Sequence, residues 1–194
     1  MAAATTAPSR RRRIWTPKPL SPSASASPAA APKLVTGATQ AAGDILWFLL
    51  VDSHVAPGAL DRIRAAIDED GWVGGNFRLT FDGNDRFSTC LTGFYAWFQR
   101  RGLYCGDSRI FVRRDIYDRT GGIQPLALME DYNLTRRMER HGGTWCIDTP
   151  ALITSARKFA GRHPVGIVFE WRKIHTLYGL GVNSKCLAKI YYGR

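Results

Sequence analysis

The chain has 194 residues, 45% hydrophobic and 22% charged, with a formal net charge of +11 at pH 7, the size and composition of one ordinary globular domain. Its longest unbroken apolar run, residues 45–51, falls far short of the roughly 20 residues that a bilayer-crossing helix needs, so no transmembrane segment is expected. Four cysteines, Cys90, Cys105, Cys146 and Cys186, are too sparse for a disulfide-stapled secreted domain and form no C-x-x-C pair, so they read as reduced thiols.

Charge is unevenly spread. Residues 1–33 hold six of the 27 Lys and Arg and none of the 16 acids, which leaves 21 basic against 16 acidic residues, or +5, for the rest. Nucleic acid is therefore not an expected partner, since the excess lies largely in the leader and no reading motif follows it. The leader is rich in Ala, Ser and Pro with an arginine block from Arg10 to Arg13, and it has too few apolar side chains to offset the entropy of ordering. Basic, hydroxylated and acid-free, it matches a transit peptide and points to a plastid or mitochondrion. The alternative is a solvated tail on a cytoplasmic protein. Residues 34–194 are expected to form one domain.

Residues 45–51 read as a fully buried strand of a parallel sheet, ending at Asp52. Pro57 opens a helix carrying Leu60, Ile63 and Ile67 on one face and closing near Gly71. Val73, Gly75, Phe77, Leu79 and Phe81 alternate as the inner face of a strand. From residue 87 to 101 the spacing of Phe87, Cys90, Leu91, Phe94, Tyr95 and Phe98 predicts an amphipathic helix. A short strand over 110–112, a turn at Gly121 and Gly122, a helix beginning at Asp131 and a strand over 145–147 come next. The last third alternates between a strand near Ile153 and a helix with Ile167, Trp171, Ile174 and Tyr178 on one face. Strands alternating with helices indicate an α/β fold. The aromatic segment 171–192 reads as core packing, with a membrane-surface helix as the alternative.

Three sets of residues are candidates for chemistry. Asp52 directly follows a buried strand, where ligands bind in open α/β sheets. Glu130 and Asp131 head a helix, where a carboxylate either caps the helix or acts as a general base. Arg113 with Arg114, and Arg157 with Lys158, offer guanidinium groups suited to phosphate oxygens.

The order of these elements resembles the small family-2-type glycosyltransferases. The matching runs are residues 43–53 with 57–60, then 74–78, Gly106 and Asp107 with 110–114, Gly121 and Gly122, 128–131, 134–137, 154–157 and 177–182, together covering about residues 35–194. The resemblance implies a GT-A fold, here a partial Rossmann-like mixed sheet flanked by helices. It also implies inverting transfer of a sugar from a nucleotide-sugar donor to an acceptor. On it, Asp52 is the last acid of a D-x-D-like motif binding a divalent metal, Mg²⁺ or Mn²⁺, at the donor diphosphate. Asp131 is the base that takes the acceptor proton, with Glu130 beside it. Arg157 lies near the diphosphate, and Gly106 and Asp107 lie in the acceptor-facing loop. Position 50, usually acidic in the superfamily, is Leu50; His54 would face the same way as Asp52 on an extended chain and is the candidate substitute ligand. The strand-helix units that bind the nucleotide base in that family are not found before residue 45. Weak or no transfer by this chain alone is the expectation, with the alternative of a non-catalytic binding or regulatory protein that pairs with a partner chain through an open sheet edge.

Overall fold

The computed structural model describes residues 30–49, 53–83, 85–100, 109–159 and 161–193. The expectations placed on residues 1–29, Leu50, Asp52, Cys105, Gly106 and Asp107 lie outside the described residues. Helix α1 (Ala30–Gln40) starts inside the segment read as leader and is followed by β1 (Ile45–Trp47) and α2 (Ala59–Arg64), which continues as a π-helical stretch over Ala65–Glu69. Then come β2 (Gly74–Phe81), α3 (Arg86–Gln99), β3 (Phe111–Arg113), α4 (Arg114–Arg119), α5 (Glu130–Met138) and β4 (Thr144–Thr154). A 3-10 helix (Ala156–Phe159), α6 (Pro164–Gly179) and α7 (Ser184–Tyr192) complete the described chain.

The fold is mixed α/β, as expected: an open four-stranded sheet in the order β1-β3-β2-β4, flanked by helices. The direction of the first strand differs from the expectation. β1 is an edge strand antiparallel to β3, β2 is also antiparallel to β3, and β2 and β4 alone run parallel. Residues 45–48 are apolar because both faces of β1 and of the residue after it are covered. Leu46 and Phe48 meet Ala31, Leu34, Val35 and Ala38 of α1, while Ile45 and Trp47 join Ile63 of α2 and Phe77 of β2. Two covered faces produce an apolar run whichever way the neighbouring strand points.

Leu60 leaves the buried face of α2, where it is 52% exposed; Ala59, Ile63, Ala66 and Ile67 make the contact instead. The strands expected near 145–147 and 153 are one strand, β4, with an interrupted register against β2. β2 is squeezed between two neighbours, which explains its paired glycines. A Cβ on Gly74 would sit 2.5 Å from the Phe111 carbonyl oxygen, and one on Gly75 would overlap the Trp145 carbonyl.

Helix α3 forms as its spacing predicts and buries Leu91, Tyr95 and Phe98 against Leu79 and Phe81 of β2. Asp85 starts it by accepting the Ser88 N–H at 2.7 Å, a side-chain N-cap. Trp171 of α6 closes this core edge-on to Tyr95, with ring centroids 4.5 Å apart. No helix among the described residues is long and apolar enough to cross a membrane.

Candidate active site

The parallel pair β2 and β4 ends with Phe81 opposite Thr154, so the carboxyl ends of both strands open at one place, where ligands bind in open α/β sheets. Three further pieces of chain meet there. The segment after position 52 returns along β4: the His54 N–H donates to the Ile153 carbonyl at 3.3 Å. Asp82, the first residue beyond β2, donates its N–H to Thr154 O at 2.9 Å and accepts the Ala156 N–H on Oδ1 at 2.7 Å. That carboxylate therefore seats the 3-10 helix carrying Arg157. The third piece is Arg109, only 1% exposed, whose Nε–H donates to Ser53 Oγ at 2.7 Å and whose Nη2 reaches Ile153 O at 3.5 Å.

Arg109 and Asp82 were missed by sequence reasoning. Asp82 follows the buried strand β2, and the rule applied to Asp52 in the sequence would have found it. Arg109 precedes an apolar run, and nothing in that pattern says its guanidinium is buried rather than solvated. A buried cation needs hydrogen-bonding partners to be tolerated, and the partners come from residues 56 and 44 positions away in sequence.

Two of the arginines that the sequence offered for phosphate, Arg113 and Arg114, are engaged elsewhere. Arg113 makes a two-pronged bond to Asp115, at 3.0 and 2.7 Å. Arg114 donates to the carbonyls of Gly43 and Ala41, at 2.6 and 2.7 Å, and so ties the end of α1 to the start of α4.

Glu130 and Asp131 sit together in the first turn of α5. The residue before them, Met129, is the helix N-cap and has φ 72, a left-handed conformation that strains a side chain-bearing residue by about 1 kcal/mol or more. Asp131 is thus not the cap; its Oδ1 accepts the Tyr132 N–H at 2.7 Å. Burial pushes the Glu130 carboxyl up from its ordinary range. The helix is held from both sides. Arg137 donates to the carbonyls of Thr120 and Gly122, and Asn133 donates to the Tyr178 hydroxyl at 2.7 Å. Tyr132 packs edge-on to His175, with centroids 5.0 Å apart. The acid pair is therefore anchored by the 120–122 turn and by α6, whereas His54 and the helix of Arg157 are anchored at the end of β4.

A divalent metal needs several hard oxygen or nitrogen ligands converging on one point. Among the described residues no three His, Cys, Asp or Glu side chains converge in that way, and His54 is exposed. The described residues alone do not fit a metal centre. The described residues offer a buried guanidinium and strand-end backbone groups at the ends of β2 and β4, and a carboxylate pair at the head of α5.

No family model matches the chain, and no curated protein matches it; what the site can do rests on these residues and their geometry.

Proposed function

We propose that this chain is the acceptor-side part of an inverting glycosyltransferase that uses a nucleotide-sugar donor. The observation that carries the proposal is the meeting, at the carboxyl ends of β2 and β4, of Ser53 and His54, the buried Arg109 and the 3-10 helix of Arg157. The family resemblance assigns Asp52, next to Ser53, and Arg157 to the donor diphosphate. Asp131 is the general base: one of its oxygens is fixed by the Tyr132 N–H, and a rigid carboxylate is what proton abstraction from a sugar hydroxyl needs. In the transfer, the acceptor O–H gives its proton to Asp131 and the oxygen attacks the anomeric carbon from the face opposite the diphosphate. The bond to the diphosphate breaks as the new bond forms, and the leaving group departs with the electron pair. Arg109 is a positioning residue here, since it holds Ser53, next to Asp52, against β4.

The test is thermal unfolding of the purified chain with a panel of nucleoside diphosphates and nucleotide-sugars, alongside Asp131→Asn and Asp52→Ala. One nucleotide should raise the melting temperature, by an amount equivalent to about 2.7 kcal/mol at 100 times its dissociation constant. Asp52→Ala should lose the shift, and Asp131→Asn should keep it while losing any transfer. If no nucleotide shifts the transition, or Asp131→Asn transfers sugar as well as the natural chain, the proposal fails.

A second reading is a non-catalytic protein acting with a partner chain. β1 lies at the edge of the sheet and has one ladder neighbour, β3, among the described residues, and such an edge is a template for pairing. A chain that binds no nucleotide but forms a stable complex weakened by a Leu46→Pro change in β1 would favour it.

A further inference from the structure

β2 and β4 do not keep one register. Phe77 is opposite Ile147 and Leu79 is opposite Leu152, so a single residue of β2, Arg78, faces four of β4, 148–151. Irregularities of this kind open a ladder and re-aim side chains, and they are frequent beside functional sites. Here the opening leaves a cavity of about 180 Å³ against the end of α3, lined by Arg78, Ala96, Gln99, Arg100, Trp145, Cys146 and Asp148. None of these residues belongs to the site at the strand ends.

The lining mixes apolar surface with charged groups, and polar groups packed behind it are incompletely satisfied. Gln99 is 8% exposed and its amide is held in place because Nε2 donates to the Phe77 carbonyl at 3.0 Å. Among the described residues its Oε1 has no hydrogen-bond partner, nor has Arg78 Nε. Asn76, 1% exposed and opposite Cys146 in the ladder, has no partner for either amide atom among the described residues. Each such group costs about 1–3 kcal/mol when buried unpaired, and buried polar atoms in folded proteins are normally paired. Burial pushes the Cys146 thiol up to about 12, so it is neutral, and the fixed charges are two guanidinium groups and one carboxylate.

That lining combines donors, Arg78 and Arg100, with an acceptor, the Asp148 carboxylate. A simple anion would satisfy the donors and face the Asp148 carboxylate. Hydroxyl groups both donate and accept, so neighbouring hydroxyls satisfy both kinds. Trp145 is 45% exposed and stacks on Trp72 with ring centroids 5.4 Å apart, which holds a flat apolar surface at the rim. The volume is below the roughly 300 Å³ at which drug-sized pockets begin, which limits the occupant to about one ring.

We propose that the cavity between β2, β4 and the end of α3 is a carbohydrate-binding subsite, in which Arg78, Arg100 and Asp148 hold adjacent hydroxyls of one sugar ring and Trp145 takes its C–H face. The subsite is independent of the transferase reading, because its residues and its ligand contacts are its own.

The experiment is ligand-observed saturation-transfer NMR on the full chain with glucose, galactose, mannose and xylose, and with inorganic phosphate as the anion probe. At least one sugar should bind, and Asp148→Asn should weaken it about tenfold, the equivalent of one charged hydrogen bond. Asp148 is exposed, so that variant should fold; its unfolding curve is recorded beside the titration. Trp145→Phe should alter which sugar protons receive saturation. The proposal is overturned by binding of phosphate but no sugar, by sugar binding that Asp148→Asn leaves unchanged, or by no binding of any probe, which would mean a solvent-filled cavity only.

Discussion

Replacing Arg109 with Met tests whether the buried guanidinium holds the candidate site together. Methionine keeps much of the side-chain volume and removes every donor, so the change isolates the hydrogen bonds. The bond to Ser53 Oγ is short, 2.7 Å, and the contact to Ile153 O is marginal at 3.5 Å. A hydrogen bond from a charged donor contributes about 1.5–3 kcal/mol. With the weaker contact added, Arg109→Met should cost about 2–4 kcal/mol, a large part of the 5–15 kcal/mol that typically holds a domain folded. For a chain of this length each kcal/mol corresponds to about 2–4 °C, so the melting temperature should fall by roughly 5–15 °C. The assay is thermal and urea unfolding of the natural chain, Arg109→Met, Ser53→Ala and the double variant. The cycle should return a coupling of about 1.5 kcal/mol between Arg109 and Ser53. A methionine variant as stable as the natural chain, or more so, would refute the reasoning, because it would mean that desolvating the guanidinium costs as much as its bonds return.

Glu130 should make stability depend on pH in a defined direction. Its carboxyl is raised above the ordinary 4.5 by burial, so its contribution is fully present below the unfolded value and is lost as pH rises through the folded one. Glu130→Gln should therefore match the natural chain in acid and become increasingly more stable than it as pH rises through that window. Urea melts across that range check it, and parallel pH profiles would rule it out. Two glycine-to-alanine changes should have opposite signs. Gly75→Ala places a Cβ against the Trp145 carbonyl and 2.8 Å from Phe111 Cζ, which should cost about 1–3 kcal/mol through overpacking. Gly93→Ala, in α3 with nothing within 4 Å, should gain up to about 1 kcal/mol in helix propensity. Urea midpoints of the two variants decide the point, and a shared sign would contradict the packing of β2.

Local pattern was enough wherever one element and its covered face carry the information. The 3.6-residue spacing of Leu91, Tyr95 and Phe98 predicted α3, and those side chains lie in the core it shares with β2. The start of the helix at the acid pair was legible within one residue, and so were the turn at Gly121 and Gly122 and the inner face of α6. Each of these is set by neighbours a few positions away, through periodicity, capping or the freedom of glycine at positive φ.

What pairs with what was decided only by the tertiary structure. The apolar run at β1 reports that both faces are covered, and α1 and α2 cover them equally well beside an antiparallel neighbour as beside a parallel one. Leu60 obeys the helical spacing but points to solvent, because Ala59 occupies the contact. The opening of the ladder at Arg78 and the cavity behind it depend on how two strands about 70 residues apart align. By itself the sequence determined an α/β chain with an acid pair at the head of a helix. Tertiary contact buried Arg109 against Ser53 and Ile153, since the cost of removing a guanidinium from water is met only when distant segments bring their oxygens to it.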